Sequence, residues 1–211
     1  MDISLHPVSC RFNKFPFVRS AEWMGNGKES IHMNKKARFI LCLLSSAALL
    51  TVLYITFHEL GHLIVMLSAG DTIDDFSIIG AHVSGHGGTY TNASDLWLHA
   101  NGAVLPFVIS LAYVLLYRKE SKNTFYRCFS FFVGLVPSCS LLAWIIIPFL
   151  YLKGAAPAGD DVTHFLDNFS QTAHPLVVSA AATLLIGIAV FLLAKKGVIE
   201  NYFSEIKVMK A

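Results

Sequence analysis

Long apolar runs alternate with short polar connections along this chain. The runs cover residues 39–67, 96–117, 128–152 and 175–194. Each reaches the roughly 20 residues a helix needs to cross the hydrocarbon layer of a bilayer. Polar interruptions inside them are few: Ser45, Ser46, Thr51, Thr56 and the cluster His58-Glu59-Leu60-Gly61-His62 in the first, His99 and Asn101 early in the second, Pro137 and Pro148 in the third. The connection 71–97 differs. It sets Gly80, Gly85, Gly87 and Gly88 among Phe76, Ile78, Ile79, Val83 and Tyr90, which predicts one or two short strands with glycine turns rather than a helix. The expected fold is therefore an all-α membrane protein of about four transmembrane helices, with a small β-hairpin-like element after the first.

Composition strengthens this reading. Of 211 residues, 55% are hydrophobic and 14% charged, with mean hydropathy +0.57. Soluble domains carry about 25% charged residues. A water-soluble enzyme, a disordered chain and a nucleic-acid wrapper are excluded. The net charge of +2 steers no partner. Cys10, Cys42, Cys128 and Cys139 form no C-x-x-C pair, which argues against a disulfide framework or a thiolate metal site.

Charge in the flanks predicts orientation. Lys and Arg crowd residues 1–38, 118–127 and 195–211, whereas 71–97 has none and 153–174 has only Lys153. The positive-inside rule then puts both termini in the cytoplasm and the two Asp-bearing connections outside, in a multi-pass protein of a bacterial cytoplasmic membrane. Residues 1–36 read as an N-terminal tail, 37–194 as the membrane-embedded domain and 195–211 as a cytoplasmic tail. The sequence Met33-Asn34-Lys35-Lys36 resembles a bacterial start, and Lys28-Glu29 can be encoded as a ribosome-binding sequence, so residues 1–32 read either as an upstream extension or as a short tail.

His58-Glu59-Leu60-Gly61-His62 has the pattern HExxH. On a helix, positions i and i+4 share a face, so both imidazoles reach one metal ion. Glu59 is the candidate base for a metal-bound water. With 9 His in the chain, chance produces the pattern in about 1% of sequences of this composition. Ionisable residues in an apolar helix are functional by default, the bland alternative being hydrogen bonding to neighbouring helices.

A catalytic zinc usually has three protein ligands. Val65 and Ser68 stand where an extended motif would place glycine and a third histidine. Glu120, Glu200 and Glu205 fall in cytoplasmic segments, opposite the outer end of the first span. An aspartate is left, in Gly159-Asp160-Asp161-Val162-Thr163-His164. Asp161 is the first choice and Asp160 the second, with the other capping a helix.

HELGH late in an apolar helix, the glycine-rich strand-like connection and a later membrane-associated Asp together resemble the site-2 protease family of intramembrane zinc metalloproteases. The resemblance covers residues 37–175. It implies a Zn2+ ion held by His58, His62 and an Asp, Glu59 as catalytic base, and 71–91 as the sheet edge that holds an extended membrane-anchored substrate. The chain departs from the family's Asn-Pro-rich, Leu-Asp-Gly aspartate motif, and its charges turn the site toward the outer face where many members turn it inward.

Other polar residues carry less. His82 and His86 are four apart on a predicted strand, where helical spacing does not co-locate them. Asn101 is a candidate oxyanion donor or, favoured, a bond to a neighbouring helix. His164 is a candidate partner of the ligand Asp, or a solvated surface group. The expected function is zinc-dependent hydrolysis of peptide bonds in membrane-anchored substrates. The alternative is a non-catalytic metal-binding membrane scaffold, against which the intact Glu59 argues. A metal transporter would need polar groups along spans three and four, and these lack charged and imidazole side chains.

Overall fold

The computed structural model describes residues 34–210; the expectations about residues 1–32 and a start at Met33 lie outside this range. Among the described residues there are six helices and one two-stranded sheet. In chain order these are α1 (Lys35–Ala69), β1 (Thr72–Ser77), β2 (His82–His86), α2 (Asn92–Leu115), α3 (Thr124–Tyr151), α4 (Asp161–Phe169), α5 (Leu176–Lys195) and α6 (Val198–Lys210). Helices α1, α2, α3 and α5 are long and apolar enough to cross a membrane.

Local sequence explains the boundaries. Asn34 caps α1 by accepting from the Lys36 N–H at 3.1 Å. Gly70, at φ +88°, ends it in a Schellman turn, with Gly70 N–H on Leu67 O and Asp71 N–H on Met66 O. Thr91 and Ser94 make a reciprocal capping box at the start of α2. Between these helices β1 and β2 pair antiparallel, Thr72 opposite His86 and Ser77 opposite His82, with a bulge between Ile73 and Asp75. The hairpin is held at the end of α1, where Thr89 N–H donates to Ala69 O at 3.0 Å.

Helices α1 and α2 touch backbone to backbone. A Cβ on Gly61 would run into the Asn101 carbonyl, and Asn101 in turn donates its side-chain N–H to Gly61 O at 2.7 Å. Helix α4 is short but amphipathic. Val162 and Leu166, one turn apart, are buried against Ile147 and Val178, while Phe165 meets Trp144 edge to face.

The segment 195–211, expected as a tail, is folded over most of its length as α6. Val198 is buried, Tyr202 stacks on Phe131 at 3.9 Å, and the Asn201 side-chain amide donates to Tyr117 Oη and Lys119 O. Its alternation of apolar and charged residues is an amphipathic helix, which a division by hydropathy alone reads as tail.

Candidate metal centre

Three side chains from two elements converge at the hairpin end of the bundle. His58 and His62 are one turn apart on α1, and Asp161 stands in the first turn of α4. His58 Nε2 lies 3.2 Å from His62 Nε2. Asp161 Oδ2 lies 3.3 Å from His58 Nε2 and 3.2 Å from His62 Nε2. Among the described residues this is the one His/Cys/Asp/Glu group arranged to hold a metal ion.

The triangle has chemical meaning. The Nδ1–H of His62 donates to the Leu98 carbonyl at 2.8 Å, so Nε2 is the bare nitrogen of the neutral ring. Two lone-pair atoms, an imidazole nitrogen and a carboxylate oxygen, then face one another at 3.2 Å. A proton or a cation must sit between them. Ligands about 2.0 Å from a tetrahedral centre are about 3.3 Å apart, so the donor set fits a small divalent ion. Burial alone would push the Asp161 carboxyl up, but hydrogen bonds from His58, His62 and His99, made where those nitrogens carry a proton, outweigh it and hold the group below the ordinary carboxylate range.

Space for the imidazoles comes from α2. A Cβ on Gly102 would collide with both rings, lying 2.8 Å from His58 Cε1. Glu59 is 4% exposed and takes part in none of the ion pairs among the described residues. Its carboxyl group is therefore not used up in holding the helices together and is available to the cleft it lines. It shares a cleft of about 670 Å³ with His58, His62, Asp161, His99, Met66, Leu98 and the β2 residues His82–Gly85.

Asp160 is spatially next to the cluster but has a different job: its side chain accepts from Val162 N–H at 2.9 Å and caps α4. Asp167 is held by Tyr151. Asp71, Asp74 and Asp75 serve the hairpin. Asp71 takes bonds from Gly88 N–H and Tyr90 Oη, Asp75 pairs with His82 and Asp74 with His86. The Asp74 carboxylate holds the exposed His86 above its ordinary value. Burial and the bond to Asp71 push Tyr90 up to about 12. Glu200 and Glu205 pair with Lys119 and Arg127.

Asn101 donates one of its two amide N–H groups to Gly61 O, so of its two readings the helix-bonding one matches this geometry. His164 is exposed, as its surface reading expects, and its ring stacks on His99 with centroids 5.0 Å apart. Sequence reasoning undervalued His99 and missed Gly102. Both sit on α2, and their relation to His62 or Asp161 exists only in the folded chain. No protein-family model matches this chain, and comparisons with curated proteins and with solved structures find no match either.

Proposed function

We propose that the chain is an intramembrane zinc metalloprotease of the site-2 protease type, cutting membrane-anchored proteins or peptides. The observation that carries this reading is the triangle of His58, His62 and Asp161 donor atoms, 3.2–3.3 Å on each side, in one cleft with Glu59. Two imidazoles and one carboxylate suit zinc, and three protein ligands leave a position for water and substrate. Zinc there supplies Lewis acidity and brings a bound water's pKa to near neutrality. Glu59 accepts the proton of the attacking water on its carboxylate and hands it to the departing amine. Gly102 keeps the two rings in contact with α2, and Asp160 starts the turn from which Asp161 points inward. Strand β2 borders the cleft and offers an edge on which an extended substrate segment adds as a third strand. Peptide groups released from a helix in this way must be paired again, and a strand edge does that.

Depth in the membrane supports the same reading. Counted from Phe39 at 1.5 Å per residue, a hydrocarbon layer of about 30 Å is crossed by residue 59. The site then lies at the membrane border, where water has access. With Lys35, Lys36 and Arg38 at the start of α1, that border is the outer one and both termini are cytoplasmic.

The test is Glu59→Gln, measured for metal content and for cleavage of a membrane-anchored substrate in proteoliposomes. The amide keeps the metal and lowers cleavage by about 10²–10⁴-fold, the usual weight of a general base. Full cleavage by this variant would remove Glu59 from the base role. Wild-type protein with bound metal and no proteolysis would favour the scaffold alternative.

A further inference from the structure

The two oxygens of Asp161 have different neighbours. Oδ2 faces His58 and His62. Oδ1 faces Nδ1 of His99 at 3.7 Å, about 0.5 Å beyond hydrogen-bond range. The other nitrogen of that ring, Nε2, faces Asp95 Oδ1 at 3.9 Å, one turn earlier on α2. Asp95 is itself anchored, because its Oδ2 accepts from the Asn168 side chain on α4. The His99 ring also stacks on His164 of α4, with planes inclined by 22°. A line of side chains, Asn168, Asp95, His99 and Asp161, thus crosses from α4 to α2 and back. At 20% side-chain exposure, His99 is largely shielded from competing water.

A carboxylate free at both oxygens can grip an ion with both. One whose outer oxygen is engaged presents a single oxygen, and a neighbour of this kind also fixes the ligand's orientation. We propose that His99 is a positioning residue for the metal centre: its Nδ1–H, 3.7 Å from Oδ1 of Asp161 in this structure, closes to hydrogen-bond distance when the site is loaded, so that Oδ2 alone is presented between His58 and His62. This rests on the metal-site reading above and adds to it the reason the centre keeps an open position.

Cobalt(II) reports coordination number directly, since four-coordinate ions absorb visible light far more strongly than five- or six-coordinate ones. The full chain in detergent is titrated with Co2+ as wild type, His99→Phe and His99→Asn. His99→Phe keeps a ring to stack on His164 and removes the N–H donor. His99→Asn restores an amide N–H near the place of Nδ1. The wild type gives the intense four-coordinate band. His99→Phe weakens the band several-fold and lowers Co2+ affinity by about 10–100-fold, the usual loss when such a partner is removed. His99→Asn recovers most of both. A wild-type band and affinity in His99→Phe, or no recovery in His99→Asn, would overturn the role of His99 while leaving the metal site intact. Absence of any Co2+ binding by the wild type would instead overturn the metal-site reading, and this inference with it.

Discussion

The two ends of the helical bundle use polar side chains in opposite ways. At the end where α1 begins, charges are paired off. Lys119 meets Glu200 at 2.8 Å, and Arg127 meets Glu205 at 2.7 Å and also donates to Ser121 O. Asn201 closes the gap between α6 and the α2–α3 connection. Aromatic faces stack there, Tyr117 on Tyr126 and Phe131 on Tyr202. At the other end, some 24 residues or about 36 Å along α1, ligand-type atoms crowd together. His62 Nε2, His58 Nε2 and Asp161 Oδ2 crowd one point, His58 Nδ1 is buried without a partner, and Glu59 has no opposite charge beside it. The first end is complete with its own side chains and holds helices together. The second gathers three donor atoms at one point, where a shared proton or a cation joins them.

That contrast can be broken from either side. Gly102→Ala removes no ligand, yet its methyl group enters the space of both imidazoles and presses on His62 Nε2 itself. Metal affinity should fall at least tenfold, as for other losses of ligand positioning, with overpacking costing about 1–3 kcal/mol. Isothermal titration and thermal unfolding measure the two. An unchanged affinity would mean that α2 does not set the ring positions. Arg127→Ala does the reverse at the far end. It leaves the largely buried Glu205 carboxylate with only Thr124 and should cost about 1–3 kcal/mol in chemical denaturation, with metal affinity unchanged. A matching drop in affinity would couple the two ends and dissolve the comparison. The smallest effect belongs to Asp160→Ala, which loses a helix cap at about 1 kcal/mol and retains the metal, whereas Asp161→Ala loses the metal. A reversed pattern in metal content would exchange the two residues.

Much of this was readable from the chain because it is local. The apolar run 39–67 became α1 over Lys35–Ala69; the added first turn follows from the Asn34 cap and from Lys35, Lys36 and Arg38, good helix formers that hydropathy leaves out. The hairpin followed from glycines between β-prone residues. The i, i+4 spacing of His58 and His62 put them on one face whatever the tertiary structure. What stayed hidden is long-range. His99 meets Asp161 across 62 positions of sequence, and nothing near either residue encodes the meeting. Gly102 looks like any small residue in an apolar helix until His62 is placed against it. Helix α6 was hidden because its charges dilute its hydropathy, although Val198 and Tyr202 already sit one turn apart.

The most direct test of the central claim is the zinc content of the purified full chain, measured by inductively coupled plasma mass spectrometry on wild type and His62→Ala prepared side by side. About one zinc per wild-type chain is expected, as a three-ligand site requires, and almost none in His62→Ala. Equal zinc in the two preparations, or none in the wild type after equilibration with Zn2+, would contradict it.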